Sequence, residues 1–233
     1  MKLYLIPTPL APETALAVLP AEVPDVINQL DVFFVENVRT ARRFISELKL
    51  GKVIDTLTFH QLDKDTPEAN TLAQLKQLLK EGKDVGVLSE AGCPGVADPG
   101  AVAVKLAHQL GIEVVPLVGP SSLLLALMAS GMSGQSFVFH GYLPIDRAQR
   151  SKALKQVEKE AITRHQTQLF IETPYRNNQL LADMLVNCQP TTRLCIACEL
   201  TSPNGFVKTL TIKDWKTQTL DLHKKPTVFL LGE

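Results

Sequence analysis

The stretch VGVLSEAGCPGVADPG (85–100), AVAVKLAHQLG (101–111), IEVVPLVGPSS (112–122), LLLALMASG (123–131) decides the fold. Residues 85–88 form a short apolar run of the length of a buried strand. Residues 89–100 form a loop punctuated by Gly and Pro. Asp98 and Pro99 supply a helix start, an N-cap carboxylate followed by a proline in the first turn. Residues 101–110 read as that helix and Gly111 ends it. Residues 112–118 read as a second strand, and 119–122 as a second tight loop in which Ser121 or Ser122 caps the next helix. Strand, helix, strand, helix predicts a parallel pair joined by a right-handed crossover.

That geometry has a functional consequence. In open parallel sheets, ligands sit outside the carboxyl ends of the strands, and both loops lie at such ends. Each leads into a helix N-terminus whose free N–H groups point outward. The alternative is a pair of ordinary strand-to-helix turns, which run to about 2–6 residues. The loop at 89–100 is longer than that, which favours a ligand loop. It contains neither G-x-x-x-x-G-K-[ST] nor G-x-G-x-x-G after a strand, so neither a phosphate-cradling loop nor a dinucleotide fingerprint is present.

Outward from this stretch, 233 residues suffice for one or two domains with a substantial core. The 24 basic and 24 acidic side chains cancel, which argues against a chain that grips nucleic acid over its whole surface but leaves a local basic patch open. There is no run of 18 apolar residues, so no membrane span is expected. Pro7 and Pro9 interrupt the N-terminus before a long apolar stretch develops, so a cytoplasmic protein is expected. Cys195 and Cys198 resemble half a metal motif, but they lie in RLCIACEL (193–200), which reads as a strand. Residues three apart on a strand face opposite ways, so no metal site is expected and the thiols read as small core residues.

Further strands are expected at 2–6, 31–35, 53–59, 136–140, 168–172 and 193–200. A late antiparallel pair is expected at 206–212 and 226–231. Helices are expected at 23–30, from 36 to about 48, at 66–80, 146–159 and 177–186. Leu72, Leu75, Leu78 and Leu79 make a core-facing stripe. Arg39, Arg42 and Arg43 cluster at the start of one helix. Arg147, Arg150, Lys152 and Lys155 cluster on another. Each cluster reads either as a phosphate contact or as a solvated helix face. Glu172 ends a strand, where it reads as a cofactor contact, as a proton acceptor, or as an acid at a helix N-terminus paired with Arg176. Glu199 ends another strand.

SEAGCPGVADPG (89–100), VGPSS (118–122) and LFIETPYR (169–176) together resemble the tetrapyrrole methylase superfamily of S-adenosylmethionine-dependent methyltransferases. Within it, the resemblance is nearest to the branch that methylates a ribose 2′-hydroxyl of small-subunit ribosomal RNA. It runs from the first strand to KPTVFLL (225–231). Two positions depart from that branch: Ala11-Pro12 where a glycine follows P-T-P, and Asn37 where the branch carries an acid. The resemblance implies two α/β domains of the tetrapyrrole methylase type with the cofactor cleft between them, an N-terminal one with a parallel sheet (1–118) and a C-terminal one with a mixed sheet (119–233). It implies S-adenosylmethionine as cofactor, bound by Pro9, Glu90, Ala91, Gly92, Gly95, Ser121, Ser122, Glu172, Leu200 and Thr227. Glu172 and Glu199 are the candidate catalytic bases. A homodimer with ribosomal RNA as partner is implied as well. Two other readings stay open: a methyltransferase acting on a small, tetrapyrrole-like molecule, and a non-catalytic cofactor- or partner-binding protein of the same fold.

Overall fold

A computed structural model describes residues 1–62, 68–98 and 100–233. The chain divides into two compact units, Met1–Ser121 and Ser122–Glu233.

The N-terminal unit runs β1 (Lys2–Ile6), α1 (Ala15–Val18), α2 (Glu22–Gln29), β2 (Val32–Val35), α3 (Val38–Glu47), a 3-10 turn (Ile54–Thr56), β3 (Thr58–Gln61), α4 (Glu68–Lys80), β4 (Val85–Leu88), α5 (Ala101–Gln109) and β5 (Glu113–Pro116). Its sheet has the order β3-β2-β4-β1-β5, and every pairing is parallel. The two strands of the opening stretch are therefore parallel but not neighbours. β1 lies between them, with Leu3 opposite both Val85 and Val114. Leu3 and Ile6 are fully buried, and an apolar strand of this kind is best covered with a partner on each edge.

Strand periodicity sorts the core into two layers. Ile6, Phe33 and Val35 pack with Val23, Ile27, Phe44 and Ile45 of α2 and α3. On the other face, Leu3, Phe34, Val85 and Val87 pack with Leu75, Leu79, Ala103 and Ala107 of α4 and α5. Leu72 and Leu78 are partly buried beside the second layer, so the leucine stripe is core. The start of the helix expected at 66–80 lies outside the described residues.

Local chemistry moves some boundaries. The strand expected at 53–59 is a 3-10 turn followed by β3, which carries His60 stacked on Phe34 at 4.8 Å between ring centroids. Asn37 caps α3, its side chain accepting from the Arg39 and Thr40 amides, as an N-cap should. Asp98 does not cap α5. Gly100 holds that position without a side-chain cap, and the proline expected beside Asp98, Pro99, lies outside the described residues.

The C-terminal unit runs α6 (Ser122–Ser130), β6 (Phe137–Tyr142), α7 (Arg147–Arg164), β7 (Thr167–Ile171), α8 (Asn177–Asn187), β8 (Arg193–Cys198), β9 (Phe206–Thr211), α9 (Ile212–Trp215) and β10 (Thr227–Gly232). Its sheet has the order β6-β7-β10-β8-β9. β6 and β7 are parallel, and the other pairs are antiparallel. β9 and β10 are not partners, contrary to the expected late hairpin; β8 separates them. β10 is buried along its length, whereas β9 is partly exposed at the edge. Burial thus places the most apolar strands in the middle, whatever their order in the chain. Cys195 belongs to one core layer and Cys198 to the other, on opposite faces of β8. Among the described residues no helix is long and apolar enough to cross a membrane.

Candidate functional site

In the N-terminal unit all five strands point the same way, so the loops leaving β1, β4 and β5 emerge along one edge. They are tied to one another by backbone. Thr8 and Gly92 form an isolated antiparallel bridge, with the Thr8 amide donating to Gly92 O at 2.9 Å and the Gly92 amide returning to Thr8 O at 3.1 Å. Gly92 has φ +83°, a left-handed conformation that costs other residues about 1–2 kcal/mol. Its N–H is spent on Thr8, so Gly92 positions the loop and offers no free amide. The β5 loop meets the β1 loop at Gly119, where a Cβ would lie 2.2 Å from Pro7 Cβ. The Cys93 thiol donates to Pro120 O at 3.4 Å.

The same edge bears a pocket of about 550 Å³, within the range of small-molecule sites. One wall is the β1 loop from Thr8 to Glu13, with Pro9. A second is Ser89, Glu90 and Ala91. The third is a face of α3 bearing Thr40, Arg43 and Glu47. These three positions follow helical spacing and share one side. Thr40 Oγ1 donates to Glu90 Oε1 at 3.2 Å, which joins α3 to the β4 loop. Gly95 lies beside the start of α5, 3.6 Å from the Ala101 amide nitrogen when a Cβ is built on it. Ser121 closes this unit, and Ser122 is the first residue of α6.

Beside the β4 loop, Asp98 lies near the side chains of Ser89 and Glu36. Burial, then the negative charges of Glu36 and Glu90, push its carboxyl up to about 7, while the Ser89 hydroxyl pulls the other way. The sequence offers no sign of this pairing, because Glu36 and Asp98 meet only through the β2-β4 neighbour relation.

In the C-terminal unit the corresponding rim is built from side chains. Glu172 is almost wholly enclosed, at 1% side-chain exposure; its Oε1 accepts from the Thr173 amide at 2.6 Å and from Arg176 Nη2 at 2.7 Å. The ion-pair reading of Glu172 is the one the geometry displays. Asn177 Nδ2 donates to Lys225 O at 2.7 Å, and Lys225 Nζ stands 3.9 Å from Glu199. Glu199 is partly exposed, and Leu200 packs at the margin of a core layer. Thr227 is buried, and its hydroxyl donates to Lys225 O at 2.9 Å. Glu199 and Thr201 hold φ of 50° and 68° without being glycine, a strain that gathers at functional sites. Among the described residues, Arg176 Nε, Asn177 Oδ1 and Thr201 Oγ1 are buried polar atoms lacking a hydrogen-bond partner.

The basic segment on α7 is divided. Arg150 is 2% exposed, pairs with Asp183 Oδ2 at 2.6 Å and donates to Pro144 O and Ile145 O. It clamps the loop after β6 and is not available to a phosphate backbone. Arg147 is 78% exposed and 3.4 Å from Asp183. Among the described residues no cluster of His, Cys, Asp and Glu has the makings of a metal site.

Two α/β units, one with a ligand-sized pocket at the carboxyl ends of a parallel sheet, define the class as a two-unit α/β protein. The tetrapyrrole (corrin/porphyrin) methylase pattern matches residues 2–215, and the chain belongs to that family. The ribosomal RNA small subunit methyltransferase I of Vibrio cholerae is 32% identical over 199 residues, 85% of this chain and 65% of that protein. The Escherichia coli O157:H7 protein of the same name is 30% identical over 231 residues, 99% of this chain and 71% of its own. The chain thus spans about two thirds of the length of these relatives. The crystal structure of the methyltransferase CobJ superposes with a TM-score of 0.65 at 18% identity, over 100% of this chain and 93% of that one, a likeness of fold.

Proposed function

We propose that the chain is an S-adenosylmethionine-dependent methyltransferase whose acceptor is a ribose 2′-hydroxyl of small-subunit ribosomal RNA. The observation that carries this reading is the shared pocket. The β4 loop with Glu90 and Ala91 and the polar face of α3 line one cavity, so a donor against the loop and an acceptor against the helix meet in it. The identity to proteins named ribosomal RNA methyltransferases favours RNA as the acceptor. The cofactor supplies a methyl group made electrophilic by its sulfonium. The chain's contribution is alignment, which in favourable cases lowers a barrier by about 7–11 kcal/mol. Pro9, Glu90, Ala91, Gly95 and Ser121 of the N-terminal unit are the proposed cofactor residues. Ser122, Leu200 and Thr227 are their proposed counterparts in the C-terminal unit. Gly92 shapes the loop. Of the two acids, Glu199 is exposed enough to accept a proton, and Glu172 orders its own turn.

The test is incorporation of labelled methyl groups into small ribosomal subunits lacking the modification, with uroporphyrinogen-type acceptors in parallel. Transfer to RNA ribose is expected. Transfer to the tetrapyrrole alone would overturn the acceptor assignment. Binding of the cofactor without transfer to either would leave a non-catalytic member of the fold.

A further inference from the structure

The three arginines at the start of α3 have different fates. Arg42 is bonded to the Asp55 carboxylate and lies 5.9 Å over the Phe59 ring, so it is engaged in holding α3 to β3. Arg39 is exposed and outside the pocket wall. Arg43 lies in the wall and is exposed. Among the described residues no carboxylate oxygen comes within 4.0 Å of its guanidinium, and no hydrogen bond engages it.

The wall chemistry narrows what Arg43 can meet. The other charged groups on it are Glu13, Glu47 and Glu90. Three carboxylates beside one guanidinium leave room for one phosphate in the pocket and not for several. A ligand with one anionic group and several hydroxyl or amino donors satisfies both signs, and a nucleotide within an RNA strand is such a ligand. Arginine's planar fork suits a phosphodiester. Arg43 sits about 4.5 Å along the helix axis from Thr40, which holds Glu90. In a nucleotide the 2′-hydroxyl and the 3′-phosphate sit on adjacent ribose carbons. A phosphate on Arg43 therefore brings its own ribose toward Glu90 and the β4 loop.

We propose that Arg43 is a positioning residue that anchors a phosphate of the acceptor RNA strand in the N-terminal pocket and thereby presents the ribose to the β4 loop. This rests on the RNA-acceptor reading above. The experiment compares the wild-type chain with Arg43→Ala, Arg43→Lys and Arg39→Ala. It measures kcat and KM for methyl transfer to small subunits at several salt concentrations, with S-adenosylmethionine affinity by calorimetry and Tm as a fold check. Arg43→Ala should raise KM about tenfold, lower the slope of log affinity against log salt by about 1, and leave cofactor affinity unchanged. Arg43→Lys should recover part of the KM because the charge remains without the fork. Arg39→Ala should stay within about twofold of wild type, as a solvated side chain does. Wild-type KM and salt slope in Arg43→Ala would overturn the anchor while the RNA reading stands. A loss of cofactor affinity instead would assign the guanidinium to the methionyl carboxylate and also overturn it. A wild-type chain that methylates only a small tetrapyrrole would remove the RNA reading and the anchor together.

Discussion

The rims of the two sheets reach order by opposite routes. In the N-terminal unit the loops leaving β1, β4 and β5 are held by main chain against main chain: the Thr8–Gly92 bridge and Gly119 pressed on Pro7. In the C-terminal unit side chains do the holding. Glu172 binds Arg176, Asn177 binds Lys225 O, and Arg150 with Asp183 grips the loop after β6. A rim of main chain has no room for added volume, whereas a rim of buried charges cannot lose a partner. The two should therefore fail under different substitutions.

The largest effect is expected from Asp183→Ala, which strands the enclosed Arg150 guanidinium. Removing one partner of a buried pair costs about 3–5 kcal/mol, and urea denaturation of the whole chain should show that loss. A cost below about 1 kcal/mol, the range of exposed pairs, would mean that solvent reaches Arg150 and would erase the contrast. Gly119→Ala is expected to cost about 1–3 kcal/mol, the usual range for overpacking, because Pro7 is too rigid to yield at 2.2 Å. A pH-dependent effect concerns a carboxyl under the main-chain rim. Asp98 has its carboxyl raised from 3.8 to about 7, so the folded state favours the protonated form. Its stabilisation is complete below about pH 4 and is lost as pH rises through 7. In Asp98→Asn, which cannot ionise, Tm relative to wild type should climb between pH 4 and 7 and level off above. A difference that stays flat with pH would show that Asp98 is ionised throughout.

Much of this contrast was legible in the residues. The run at 85–88 and the leucine stripe on α4 are local signals, and each marks what the structure contains, whereas Gly92, read as a cofactor contact, spends its amide on Thr8. Long-range selection was not legible. That β1 would part β4 from β5, or β8 part β9 from β10, depends on which strand is most apolar overall. Arg150 reads as one more cation on a basic helix until Asp183, on a different helix, is seen to enclose it. The same holds for the α3 cluster: spacing puts Arg39, Arg42 and Arg43 together, and only Asp55 and Phe59 reveal which of them is already engaged. Asn37, a departure from the resembled branch, turns out to cap α3, a role that asparagine and aspartate share.

The rung between Thr8 and Gly92 stands beyond the last residues of the strands it links, and it runs against their direction. Two hydrogen bonds there join segments more than eighty residues apart in the chain. Neither segment can swing away with both bonds intact, so a molecule gripping one side of the pocket mouth is expected to slow amide exchange on the other.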